Sequence, residues 1–136
     1  MQILVLGAGA VGGYFGGRMV EAGSDVTFLL RPRRAVQLRN VLKIESTRGD
    51  ITVPVKTLTE EDVDGSFDMI ILSCKSYGLT SALDAIAPHV SDGTFILPLL
   101  NGYAHIEKLE NRFPRAIVLG GTAGIVATLT EDGTVR

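Results

Sequence analysis

Cysteine is nearly absent: Cys74 stands alone among 136 residues. One thiol excludes an internal disulfide and a cysteine-based metal cluster, and it fits a reducing compartment. Histidine is almost as scarce, and the isolated pair His89 and His105 makes no metal site. Long apolar runs are missing too. No stretch approaches the ~18 residues of a membrane span. The apolar run at residues 3–6 is too short for a signal peptide and lacks its basic flank. A net charge of −2 leaves no basic field to recruit nucleic acid or an anionic membrane. With neither repeats nor low-complexity tracts, the sequence points to the cytoplasm and to a small-molecule partner recognised at a local site.

What remains is ordinary for a globular α/β protein of one domain over residues 1–136, with 46% hydrophobic and 21% charged residues. Apolar runs of strand length alternate with segments of helical period. Residues 3–6 form a continuous apolar run, as expected of a strand covered on both faces. A helix follows over about 11–22, ended by Gly23 as its cap. Strands are expected at 25–30, 67–73, 94–99, 116–119 and 124–129, and helices at 34–39, 79–87 and 105–112. Arg31-Pro32-Arg33-Arg34 reads as a loop, and Glu60-Glu61-Asp62 as a solvated helix start. Residues 42–46 and 50–55 flank Thr47-Arg48-Gly49, which suggests an antiparallel hairpin. The succession predicts a Rossmann-like, doubly wound and mostly parallel sheet with helices on both faces.

Gly7-Ala8-Gly9-Ala10-Val11-Gly12 matches G-x-G-x-x-G. It directly follows an apolar strand and opens an amphipathic helix, the context in which that string cradles a dinucleotide pyrophosphate. Gly7 permits the tight turn, Gly9 the approach of backbone to phosphate, and Gly12 close packing of helix on strand. Backbone N–H groups at the helix start then face the phosphates. The bland alternative is a glycine-rich turn without a ligand. Gly13, Gly16 and Gly17 count against it, because each glycine in a helix costs ~1 kcal/mol relative to alanine and implies close packing or close ligand approach.

An NAD-selective domain places Asp or Glu ~20 residues after the turn, on the ribose 2′-hydroxyl. Arg31 occupies that position here, with Arg33 and Arg34 beside it. A guanidinium forms paired, charge-assisted hydrogen bonds to a 2′-phosphate, which a carboxylate repels. The arginines therefore predict NADP(H), Arg31 foremost; the alternative is a solvated surface cluster.

At this point the chain resembles the ketopantoate reductase (2-dehydropantoate 2-reductase) family. The residues that carry the resemblance are the opening run from Gly7 to Gly16, then Arg31, Ser73-Cys74-Lys75-Ser76-Tyr77, Leu99-Leu100-Asn101-Gly102, Gly120-Gly121-Thr122 and Ala127-Thr128-Leu129. It implies that Arg31 holds the 2′-phosphate, that Lys75 faces the cofactor, that Asn101 touches cofactor and substrate, and that Ala127 lies in a closing segment of the cofactor domain. It further implies reduction of a 2-keto acid, 2-dehydropantoate, in pantothenate biosynthesis. Gly78 stands where the family often carries a polar side chain. The family's general-acid lysine belongs to a helical second domain, so this chain reads as the cofactor half, inactive alone. Loss of that partner surface would favour self-association.

Lys75, Asn101 and Thr122 all follow expected strands and so can converge on one crevice. There Lys75 would supply charge and Asn101 hydrogen bonds to the developing oxyanion. The alternatives are a surface lysine and simple Asn-Gly turn chemistry. Cys74 reads as a small buried hydrophobe, and His89 and His105 as structural. Tyr77 and Tyr103 would either line the crevice near the nicotinamide or pack loops. Two other functions stay open: a non-catalytic NADP-binding redox sensor, and a two-domain dehydrogenase for another hydroxy acid.

Overall fold

Strands that are apolar at every position need cover on both faces, and the fold supplies it. The structure is a computed structural model and describes residues 1–62, 65–74 and 77–136. Six strands form the main sheet: β1 (Gln2–Leu6), β2 (Asp25–Leu29), β5 (Lys56–Leu58), β6 (Met69–Leu72), β7 (Phe95–Pro98) and β8 (Ile117–Val118). Between β2 and β5 lies a separate antiparallel hairpin of β3 (Val41–Ile44) and β4 (Ile51–Pro54). Four helices connect the strands: α1 (Ala10–Glu21), α2 (Pro32–Leu38), α3 (Leu79–Ile86) and α4 (Ala104–Arg112).

The main sheet runs β5-β2-β1-β6-β7-β8 with every pair parallel. The chain winds outward through β2 and β5, then returns to the other side of β1 for β6, β7 and β8. The strand order therefore reverses between β1 and β6, and the ligand crevice of such a sheet opens there, beyond the carboxyl ends. This is the doubly wound, parallel architecture that the alternating pattern predicts.

Residues of alternate parity feed two cores. Leu4, Leu6, Ile70 and Leu72 face one side, where Ala82, Leu83 and Ile86 of α3 and Leu109 of α4 cover them. Ile3, Val5, Val26 and Phe28 face the other side, with Leu42 and Ile44 of the hairpin and Val135 in the same cluster. Each fully buried Leu, Ile or Phe stabilises the fold by roughly 1.5–3 kcal/mol relative to exposure.

Helix α1 packs on this second face through its glycines. A Cβ on Gly16 would stand 2.5 Å from Phe28 Cζ, and one on Gly17 would stand 2.6 Å from Ile44 Cδ1. A Cβ on Gly13 would meet Val135 at 2.9 Å. The internal glycines are thus explained by packing against sheet, hairpin and C-terminal segment. The helix ends in a Schellman motif, with Gly23 N–H donating to the Val20 carbonyl and Ser24 N–H to the Met19 carbonyl, both at 2.9 Å.

Four local expectations are corrected. Helix α2 begins at Pro32 rather than Arg34, because the fixed φ of proline suits the first helical position. The second hairpin strand stops at Pro54, and three residues after Val55 pair with β2 as β5, too short a run to carry an alternation signal. Glu60 and Glu61 lie in a turn, closed by the Asp62 carboxylate accepting from Thr59 N–H at 2.8 Å. Residues 124–129 form no strand. Their end is instead tied to the last residues, through an isolated antiparallel bridge of Leu129 to Val135 and reciprocal backbone hydrogen bonds between Thr128 and Arg136 at 2.6 and 2.9 Å.

Candidate cofactor site

The glycine turn fills the reversal point between β1 and β6. Gly7 has φ +88, in the left-handed region that glycine adopts without strain. Its N–H continues the β2 register by donating to the Leu29 carbonyl at 2.9 Å. A Cβ on Gly12 would stand 2.5 Å from both the Gly7 carbonyl oxygen and Ser73 Oγ, so only glycine lets α1 approach this closely. Gly9 differs. A Cβ there would meet nothing within 4 Å, and it would project into open crevice. Gly9 is also the N-cap of α1, with no side-chain cap and no acidic residue in the first turn. The bare N–H groups and the positive end of the helix dipole suit an anion.

Two cavities meet at Gly9. One, of about 450 Å³, is lined by Ala10, Val11, Ser73, Cys74, Leu99 and Ala127 among others. The second, of about 420 Å³, is lined by Gly7, Ala8, Leu30, Arg31, Arg33 and Tyr77 among others. Leu129 borders both. Each falls within the roughly 300–1,000 Å³ range of small-molecule sites. Together they make a two-lobed crevice with the glycine turn at its waist, the shape a dinucleotide needs for its pyrophosphate. A further cavity of about 540 Å³ also touches Arg31 and is lined by Glu60 and by Ser81, Asp84 and Ala85 of α3.

The three arginines divide. Arg31 and Arg33 are exposed at the rim of the second lobe. The Arg31 guanidinium lies over the Tyr77 ring, its Cζ 4.1 Å from the ring centroid. Arg34 turns inward. Its Nε and one terminal nitrogen donate to the Ala8 carbonyl at 2.9 and 2.6 Å. That terminal nitrogen also reaches the Gly133 carbonyl at 3.2 Å, while the other bonds Gln37 Oε1 at 2.9 Å. Gln37 in turn donates to the Glu131 carbonyl at 2.9 Å. Burial pulls the Arg34 guanidinium below its ordinary value, though it remains charged. Arg34 therefore ties the glycine turn to the turn at Gly133, and its donors are taken up by backbone carbonyls and Gln37.

The other expected residues are placed as follows. Gly7, Ala8, Gly9, Ala10, Val11, Arg31 and Ala127 all line the two lobes, and Gly12 packs beneath them. Lys75 lies outside the described residues. Asn101 and Thr122 are exposed beyond β7 and β8, at the same end of the sheet, but among the lining residues of neither lobe. Tyr77 lies at the arginine end rather than with Leu99 and Ala127, and Tyr103 is almost fully exposed. Burial pushes the Cys74 thiol up, in keeping with a buried hydrophobe and not a nucleophile. His89 is buried with Nδ1 3.1 Å from the Gly65 carbonyl, and His105 is buried in α4. Three roles escaped the sequence: Ser73 and Leu129 stand out there only within runs that carry the family resemblance, and Arg34 only as a neighbour of Arg31, with nothing to mark its Gln37 partner. No spacing along the chain announces these contacts.

A family described as ketopantoate reductase PanE/ApbA matches residues 3–136. The chain belongs to this family. Ketopantoate reductases are NAD(P)-dependent oxidoreductases, and the glycine turn and two-lobed crevice are the parts of this chain suited to such a cofactor. Over its full length the chain is 40% identical to the uncharacterized oxidoreductase YkpB of Bacillus subtilis, covering 45% of that protein. It is 38% identical to 2-dehydropantoate 2-reductase of Aquifex aeolicus, covering 43% of it. The structure of 2-dehydropantoate 2-reductase from Geobacter metallireducens matches 99% of the chain and 45% of its own, with TM-score 0.86 at 36% identity. A D-mandelate dehydrogenase solved with NADH and anilino(oxo)acetate matches 99% of the chain and 45% of its own, with TM-score 0.88 at 25% identity. The chain thus spans less than half the length of these relatives.

Proposed function

We propose that residues 1–136 are the NADP(H)-binding domain of a cytoplasmic 2-dehydropantoate 2-reductase, which reduces the ketone of 2-dehydropantoate to pantoate in pantothenate biosynthesis. The observation that carries the cofactor choice is Arg31. It stands exposed just past β2, at the rim of the lobe beside the glycine turn, where an NAD-selective domain has a carboxylate. Each charged hydrogen bond to a 2′-phosphate contributes ~1.5–3 kcal/mol, so two give roughly a hundredfold preference. Arg33, whose side chain makes no hydrogen bond among the described residues, is available to assist; Arg34 is not.

When bound, the cofactor supplies the hydride. The chain's own part is to hold the pyrophosphate on the N–H groups of Gly9 to Gly12 and to orient the keto acid. Asn101, beyond β7, gives the substrate a hydrogen-bonding amide, and Lys75, beyond β6, supplies positive charge to the oxygen as it becomes an alkoxide. Proton delivery requires an acid within ~3 Å of that oxygen, and we assign it to the remainder of the protein. This chain alone is then expected to bind cofactor and to oxidise NADPH only at background rate with 2-dehydropantoate.

Calorimetric titration of the complete protein with NADPH and with NADH tests the reading. NADPH binding at least about tenfold tighter is expected, with the preference lost in Arg31→Ala. Equal binding would move the arginines to the solvated surface, and no turnover of 2-dehydropantoate would remove the substrate assignment. A second reading, an NADH-dependent reductase of another 2-keto acid, is favoured by one observation. The D-mandelate dehydrogenase that shares this fold was solved with NADH.

A further inference from the structure

The Arg31 side chain has no ion pair or hydrogen bond among the described residues, yet it is not an unsupported surface arginine. Its guanidinium carbon lies over the Tyr77 ring, 4.1 Å from the centroid and well inside the ~6 Å reach of a cation–π contact. Among the described residues the other two such contacts, Arg18 over Tyr14 and Arg112 over Phe113, are longer at 5.5 and 5.9 Å. The platform is also rigid. Tyr77 is only 3% exposed and belongs to the core cluster of Leu29, Leu72 and Ile86. Its N–H donates to the Cys74 carbonyl at 3.2 Å. Its hydroxyl is buried with no hydrogen-bond partner among the described residues, and Arg31 lies near enough to counter part of the upward push that burial gives the phenol.

We propose that Tyr77 is a specificity-determining positioning residue, a fixed aromatic platform that holds the Arg31 guanidinium for a ribose 2′-phosphate. The inference rests on the reading of Arg31 as the 2′-phosphate ligand. A contact with the ring face leaves the guanidinium N–H donors that point away from the ring free, and such donors pair with phosphate oxygens. An exposed arginine loses rotamer freedom when it binds. A ring already fixed beneath it removes part of that loss beforehand, which strengthens binding through preorganisation. The gain falls only on ligands that engage Arg31. Tyr77 therefore discriminates between NADP(H) and NAD(H) without touching the phosphate.

The test is the ratio of NADH to NADPH dissociation constants in the complete protein carrying Tyr77→Leu or Tyr77→Phe. Tyr77→Leu is expected to lower the ratio about three- to tenfold, entirely through weaker NADPH binding. Tyr77→Phe keeps the ring and should hold the ratio within about twofold of wild type. In the Arg31→Ala background, Tyr77→Leu should change the ratio no further. Equal weakening of both cofactors by Tyr77→Leu would make the ring mere packing and overturn the proposal. So would a Tyr77→Phe loss as large as that of Tyr77→Leu. Should Tyr77→Leu fail to fold, increasingly fluorinated phenylalanines at position 77 decide the matter, since they keep the shape while weakening the negative ring face. A ratio that falls with fluorination supports the platform, and a flat one overturns it. If the wild type binds NADH as well as NADPH, the parent reading fails first, and is recognised as failing before any variant is made.

Discussion

A Cβ on Gly12 would stand 2.5 Å from the Gly7 oxygen, whereas one on Gly9 meets nothing within 4 Å. Two glycines of one motif thus have different reasons to be glycine, and the difference can be measured. Gly12→Ala forces a methyl against backbone, which cannot swing aside. Overpacking of this kind costs about 1–3 kcal/mol, partly offset by the ~1 kcal/mol that alanine gains in a helix. A lowered denaturant midpoint is expected. Gly9→Ala should change stability by no more than about 0.5 kcal/mol and yet weaken cofactor binding about tenfold, by occupying the space the pyrophosphate needs. Unchanged binding in a folded Gly9→Ala protein would empty the crevice of its proposed ligand. The roles of Gly7, Gly9 and Gly12 were legible in the sequence because the motif follows β1 without a break. The Tyr77 platform was not, because nothing in the chain between positions 31 and 77 links the two residues before folding.

At the scale of elements, α2 acts as a bracket between two turns. Arg34 and Gln37 lie one helical turn apart, and both reach backbone carbonyls of the segment around Glu131 and Gly133. Gly133 has φ +88, and a Cβ on it would stand 2.7 Å from the Arg34 guanidinium, so the turn and its clamp are built for each other. Arg34→Ala leaves the Ala8 carbonyl without its two donors. Because Arg34 is only part-buried, water recovers some of that loss, and the expected cost is about 1–2 kcal/mol. Chemical denaturation measures it. The NADH to NADPH ratio should stay as in the wild type, in contrast to Arg31→Ala; a selective loss of NADPH would return Arg34 to the phosphate. Helices and central strands were readable from apolar period and caps, since those signals are local. The end of the hairpin at Pro54, the start of β5 and the absence of a regular strand at residues 124–129 were not. Each depends on which strand is near enough to pair, and that is a property of the assembled sheet.

For the whole molecule, the two buried acids Cys74 and Tyr77 set an alkaline limit. Burial pushes both groups up in the folded state, with Glu60 adding to the effect at Tyr77 and Arg31 opposing it. The unfolded chain therefore loses these protons first as pH rises. Between the ordinary and the raised value it binds fewer protons than the folded chain, so stability falls with pH. The fall should begin near the ordinary thiol value of about 8.5 and steepen near the phenol value of about 10. Thermal unfolding from pH 7 to 11 follows it, and Cys74→Ala should flatten the first part. A profile flat through pH 10 would mean that neither group titrates differently on folding.

The sequence by itself determined the doubly wound sheet, the glycine turn at its reversal point and the family, because strand apolarity, helix caps and phosphate-loop glycines act over a few residues each. It also drew attention to Arg31, whose place at a strand end is a matter of position along the chain. Only the tertiary structure separated Arg31 from Arg34, sending one guanidinium to the crevice rim and the other into the backbone of two turns. It alone brought Leu129 to the waist of the crevice and Tyr77 beneath Arg31. These assignments rest on packing between distant segments, and the free energy that decides them exists only once both cores have closed.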